Sequence, residues 1–269
     1  MFINKNLLWC IVSCSSSLVN GLVIPRSLEP NGGSILPRDD AATTSVAGGL
    51  PLRIMALGAS ITFGEGSTDG NGYRSDLRTA LVNAGNTVNM VGSKPNGTMK
   101  DNDTEGWPGF IVDQVREKAD ASVPNLKPNL VLVNVGTNDC LQNVDIPNAG
   151  NRMRTLLNDV FDKSPRAAIV LSTLLVNGNA DAQTRTTSFN TQLKSLTMEL
   201  QLAGKALVLV DMQGTGGPTA DELVDGTHPN DAGYQKMANL FLQGIRDADS
   251  RSFLQRAEVV SGIPDNGEA

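Results

Sequence analysis

Five short, nearly continuous apolar runs, with helical periods between them, restrict the folds open to this chain. The runs are Leu52–Leu57 (LRIMAL), Thr87–Val91, Leu130–Val135 (LVLVNV), Ala168–Leu171 and Leu207–Val210 (LVLV). A strand with one wet face alternates apolar and polar residues, whereas a continuous run is buried on both faces. Between the runs, apolar residues step by three and four: Tyr73, Leu77, Ala80 and Leu81; Phe110 to about Ala119; Met153, Leu156, Leu157, Val160 and Phe161; Phe189, Leu193, Leu196 and Leu200; Tyr234, Met237, Phe241 and Ile245. Strands buried on both faces and joined by helices form a parallel sheet with right-handed crossovers. The pattern predicts one domain over 50–249, a three-layer α/β/α sandwich on a five-stranded parallel sheet, flavodoxin-like in arrangement.

Charge and termini narrow the setting. With 22 basic against 28 acidic residues the net charge is −6, which argues against nucleic acid as a partner. No apolar run approaches the roughly 18 residues needed to span a bilayer, so no stable membrane association is expected. Residues 1–21 read as a secretory signal: Lys5, an apolar stretch from Leu7 to Val12, and small residues through Val19 and Gly21. Residues 22–49, rich in Pro and Gly without a hydrophobic period, read as a propeptide or flexible linker. Residues 250–269 read as a loosely attached tail. Cys10 and Cys14 leave with the signal, so Cys140 is the one mature thiol and no internal disulfide forms. The sequons Asn96-Gly97-Thr98 and Asn102-Asp103-Thr104 fit export and offer Asn96 and Asn102 for glycosylation. The expectation is a secreted, extracellular monomer.

Ligands of open parallel sheets bind beyond the carboxyl ends of the strands. Three chemically capable segments fall there. Ser60 follows the first strand, Asn138 follows the third, and Asp225-Gly226-Thr227-His228-Pro229 follows the fifth. His228 is the only histidine, so all imidazole chemistry runs through it. Asp225, one turn earlier, can accept from Nδ1 and leave Nε2 free to take a hydroxyl proton. Taken singly, each residue also has an ordinary reading: Ser60 as a helix cap, Asn138 as a turn residue, His228 as part of a capping loop before Asn230. One histidine and three cysteines do not build a zinc site. Asp101, Asp103 and Glu105 imitate a calcium loop, but Val112 stands where its bidentate carboxylate belongs. Gly64-Glu65-Gly66 lacks the third glycine of a dinucleotide loop at the right spacing. No metal and no organic cofactor are expected.

Together these segments resemble the SGNH (GDSL-like) hydrolases. Ser60 matches the serine block, Asn138 in Gly136-Thr137-Asn138-Asp139 the asparagine block, and Asp225 and His228 the final block. For the glycine block Gly109, in Glu105-Gly106-Trp107-Pro108-Gly109, fits better than Gly92. Further likeness to carbohydrate esterase family 3 and its fungal secreted relatives lies in Gly72-Tyr73-Arg74, Val91-Gly92-Ser93 and the segment from Asp225 to Tyr234. The resemblance implies a serine esterase with Ser60, His228 and Asp225 as triad. Its oxyanion donors are Ser60, Gly109 and Asn138, and Trp107 is a candidate sugar contact. The implied substrate is an acetylated polysaccharide such as xylan. A lipid esterase or thioesterase would share the same residues. An inactive glycan binder is a third reading, motivated by Ala59, where the family usually has aspartate.

Overall fold

The computed structural model describes residues 44–267. The expected signal and most of the expected linker lie outside them. The five apolar runs form strands β1 (Leu52–Gly58), β2 (Val88–Val91), β5 (Leu130–Asn134), β6 (Ala168–Ser172) and β7 (Leu207–Val210). They pair in parallel in the order β2-β1-β5-β6-β7. The crossovers are α2 (Tyr73–Asn83), α3 (Val112–Leu126), α5 (Ala149–Lys163), α6 (Ala180–Leu202) and, after the last strand, α7 (Asp231–Ser250). Short helices α1 (Ser60–Phe63) and α4 (Thr137–Gln142) start directly behind β1 and β5.

Alternate residues of β1 enter two different cores. Met55 and Leu57 pack with residues of α3, α5 and α6 on one face. Leu52, Ile54 and Ala56 pack with residues of α2 and α7 on the other. The period of two along a strand makes this division, and it explains why both faces had to be apolar.

The sheet has seven strands rather than the five expected. The additions are β3 (Lys94–Pro95) and β4 (Asp103–Gly106), paired antiparallel with each other. β2 covers the first half of one β1 edge, from Leu52 to Met55. β4 continues that edge, pairing Leu57 with Glu105 and Gly58 with Gly106. Neither segment has an apolar pattern. β4 is buried beyond the exposed Asp103 all the same, because Thr104 and Glu105 are both fully covered and the Glu105 carboxylate accepts from Ser93 N–H at 2.9 Å.

Both ends of the described residues are tied down more closely than their composition suggests. Val46, in the last part of the expected linker, is buried, and its N–H and C=O both bond the Asn86 side chain. The C-terminal segment, expected to be loose, runs along the amino ends of the strands. Arg53 donates to Glu258 O, Asn129 to Gln255 O and Asn89 to Pro264 O, and Gly267 N–H donates to Val88 O. Its few apolar residues hide this attachment from the sequence, since backbone carbonyls carry it.

Among the described residues no helix is long and apolar enough to cross a membrane.

Candidate active site

Ser60 is placed by the close approach of two strand ends. Gly58 ends β1 so near β5 that a Cβ there would lie 2.1 Å from Asn134 O and 2.2 Å from Thr62 Oγ1. Only glycine fits, and the chain then turns through Ala59 into α1 with Ser60 as its first residue. Ser60 is buried, with 8% of its surface exposed.

The histidine loop is closed by an isolated bridge between Leu223 and Pro229 and by Val224 N–H donating to His228 O at 2.8 Å. Inside it, Asp225 Oδ1 accepts from the N–H groups of Thr227 at 2.9 Å and His228 at 2.8 Å. Its Oδ2 lies 2.7 Å from His228 Nδ1. Gly226, with φ of 81°, makes the turn between them. His228 Nε2 lies 2.8 Å from Ser60 Oγ. Burial opposes ionisation of Asp225, but the hydrogen bonds from His228 and Thr227 outweigh it and hold the carboxyl below its ordinary range. Asp225 is therefore ionised at neutral pH and fixes the proton of the imidazole on Nδ1.

Asn138 sits in the first turn of α4, behind Gly136, where φ is 125° and a Cβ would strike the Phe189 ring. Its Nδ2 donates to Phe110 O at 3.0 Å, so one N–H is engaged and the other has no partner among the described residues. The next residue, Asp139, is fully buried and anchors α4. It accepts from Val112 N–H at 3.1 Å and pairs with Arg152. Burial raises its pKa while the Arg152 guanidinium pulls it back.

Gly109 lies on the exposed turn after β4, with φ of 80°. Its N–H has no partner among the described residues. Gly92, the other glycine considered, lies where β2 passes β4, and a Cβ there would overlap Thr104 O at 2.2 Å. It serves a strand contact and not the rim.

Trp107 leaves β4 beside Gly58 and donates its N–H to Gly58 O at 2.9 Å. Its ring stacks on Phe110, centroids 5.7 Å apart, and its Nε1 donates to Glu105 at 2.8 Å. The Nζ atoms of Lys94 and Lys118 lie 4.0 and 4.4 Å from its centroid. The ring therefore has ammonium groups against it rather than two bare faces.

The sequon side chains are both engaged. Asn96 Nδ2 donates to Phe63 O at 2.6 Å and Gly70 O at 2.8 Å, and Asn102 Nδ2 donates to Gly97 O at 2.8 Å. A glycan on Asn96 replaces one of the two hydrogens that hold its loop.

Glu65 was missed by sequence reasoning. Its carboxylate lies 3.3 Å from His228 Nε2, and its backbone C=O accepts from Tyr234 Oη at 2.5 Å. Five residues after Ser60 in a glycine-bounded loop, it had the position to reach the site, but no sequence spacing showed which way the loop would fold. Gly66 returns that loop against the histidine loop, where a Cβ would lie 2.6 Å from Pro229 O. Among the described residues no group of three His, Cys, Asp or Glu side chains has the geometry of a metal site.

Comparison with known proteins agrees with this architecture. The chain is 25% identical over 241 residues to a multidomain esterase of Ruminococcus flavefaciens, a stretch covering 79% of this chain and 30% of that protein. It thus spans about a third of that relative. The family 3 carbohydrate esterase of Clostridium thermocellum superposes with a TM-score of 0.67 at 23% identity, covering 76% of this chain and 99% of that one. A family 3 carbohydrate esterase from Talaromyces cellulolyticus superposes with a TM-score of 0.62 at 24% identity, covering 74% and 99%. These likenesses establish a shared fold. The profile of the GDSL-like Lipase/Acylhydrolase family matches residues 56–236, from the strand that delivers Ser60 into the helix behind His228. Well over half the chain follows that pattern, and the protein belongs to the GDSL-like lipase/acylhydrolase family.

Proposed function

We propose that this protein is a secreted serine esterase that removes acyl groups, acetyl foremost, from carbohydrates such as acetylated xylan. The observation that carries the reading is the continuous relay Asp225 Oδ2–His228 Nδ1 at 2.7 Å and His228 Nε2–Ser60 Oγ at 2.8 Å. In it, Ser60 attacks the acyl carbonyl as His228 takes its proton, and Asp225 holds the ring and balances its charge. The imidazolium so formed lies between two carboxylates, Asp225 on Nδ1 and Glu65 near Nε2. The oxyanion is held by the N–H groups of Ser60 and Gly109 and the free N–H of the Asn138 amide. His228 then returns its proton to the departing sugar hydroxyl, and water, with His228 again as base, releases the acyl group. The chemistry calls for no metal or organic cofactor.

The carbohydrate assignment is supported by the family 3 carbohydrate esterases among the similar folds. Export is supported by the amino-terminal signal pattern. The deciding experiment measures acetate release from acetylated xylan with and without a serine-directed organophosphate. Release that the inhibitor abolishes is expected. No release from xylan, with rapid cleavage of long-chain esters, would transfer the protein to the lipid esterases. No turnover of either would leave a glycan binder.

A further inference from the structure

We propose that Lys94 and Lys118, both set against the Trp107 ring on the turn next to the strand end that delivers Ser60, form a subsite for an anionic substituent, a uronate carboxylate or a sulfate ester, on the acyl-bearing sugar chain. The subsite rests on the esterase reading for its place in catalysis, though not for its ability to bind an anion.

Three observations carry it. The first is position. β4 runs parallel to β1 and leaves the sheet at the same end, Gly106 opposite Gly58. Gly106 lies so close to α1 that a Cβ would be 2.5 Å from Phe63 N. The Trp107–Phe110 turn is tied to the Asn138 side chain from the other side of β1. The turn that carries the aromatic pair therefore stands at the strand ends beside Ser60.

The second is charge without an ion pair. Lys94 Nζ lies 4.6 Å from the Phe63 centroid and 4.0 Å from that of Trp107, and Lys118 Nζ lies 4.4 Å from Trp107 and 5.9 Å from Phe110. Among the described residues neither ammonium has a carboxylate within 4.0 Å. Glu105, the carboxylate whose charge acts on Lys94, is fully buried and its oxygens accept from Ser93 N, Ser93 Oγ and Trp107 Nε1. In a chain of net charge −6, two such cations on one ring stand out. Burial lowers the Lys94 pKa; the buried Glu105 raises it, and repulsion from Lys118 lowers it further. An anion bound beside these ammonium groups offsets that repulsion.

The third is chemistry. An ammonium set over an indole is held by the ring quadrupole and keeps N–H donors pointing outward. With its ring so covered, Trp107 acts as the support that aims the lysines, and the substrate feature they read is negative charge.

The test compares kcat/KM for acetylated oligosaccharides that are neutral, uronate-bearing or sulfated. The ratio of charged to neutral substrate cancels any loss common to both. The wild type should favour at least one charged substrate by about fivefold or more at low salt, the preference shrinking as salt screens it. Lys94→Gln with Lys118→Gln should bring the ratio to about one, and Lys→Arg at both positions should keep it. Which charged substrate is preferred separates carboxylate from sulfate. A wild-type ratio of one, or a preference that survives in the double Gln variant, overturns the subsite and leaves the esterase reading standing. If no substrate is turned over, the esterase reading falls, and calorimetric titration with the deacetylated uronate and sulfated oligosaccharides decides the subsite alone. Binding weakened in the double Gln variant and kept in the Arg variant supports it; no binding, or equal binding to all three proteins, overturns it.

Discussion

Ser60 Oγ and His228 Nε2 lie 2.8 Å apart although 168 positions separate them in the chain. Ser60→Ala removes the proposed nucleophile and should lower kcat by about 10⁴- to 10⁶-fold. Asp225→Asn frees the imidazole to adopt the wrong tautomer and should lower kcat by about 10²- to 10⁴-fold. Steady-state kinetics on a soluble acetyl ester measure both. A Ser60→Ala protein with near-normal turnover rules the assignment out.

Asn138→Ala should lower kcat about a hundredfold or more with a smaller change in KM, because in the proposed mechanism its second N–H meets charge that exists only in the transition state. The same side chain holds Phe110 O at 3.0 Å, so the variant should also lose about 1 kcal/mol of stability. Comparing kcat, KM and a urea midpoint separates the two effects.

Ala59 is 5% exposed in a site whose relay is already assembled. The natural protein should therefore hydrolyse acetyl esters, and Ala59→Asp should change kcat by less than about tenfold. Activity that appears only in Ala59→Asp would favour the inactive-binder reading. Kinetics on the two proteins side by side are sufficient.

Burial pushes the Cys140 thiol up to about 11, with the Thr186 contact and nearby cations opposing. The folded protein then keeps a proton that the unfolded chain loses from about pH 9 upward. A group protonated more readily in the folded state contributes stability that is lost as pH rises. The unfolding free energy from urea titrations should thus fall between about pH 9 and 11, by an amount on the order of 1–3 kcal/mol, and Cys140→Ala should lack that part of the slope. The native thiol should also resist alkylation at pH 8, where the denatured thiol reacts.

Gly58→Ala places a methyl 2.1 Å from Asn134 O and should destabilise the fold by about 3 kcal/mol or more, or displace α1. Thermal unfolding measures the first outcome. Loss of kcat without loss of stability identifies the second, since α1 begins with Ser60.

The residues that the chain exposes to a one-dimensional reading are those with period or with chemistry of their own. Val131 and Leu132 had to be buried on opposite faces, and α5 had to cover a sheet, because continuous apolar runs and three-four steps have few other outcomes. Asp225 and His228 meet within one turn, so their pairing was local. β4 was not legible: its polar side chains are covered by partners from Ser93 and β1, and nothing in four residues announces them. The tail was illegible for the same reason, being held by side chains that donate to its backbone carbonyls.

By itself the sequence determined the layered sheet and the three rim segments, since burial period and strand-end placement depend on residue order alone. Only tertiary structure decided that Glu65 reaches His228, that Asn96 cross-links a loop, and that Lys94 and Lys118 converge on Trp107. Each of those contacts joins segments through turns whose direction is set by close backbone approach at Gly58, Gly66 and Gly106, and such approach has no period to be read.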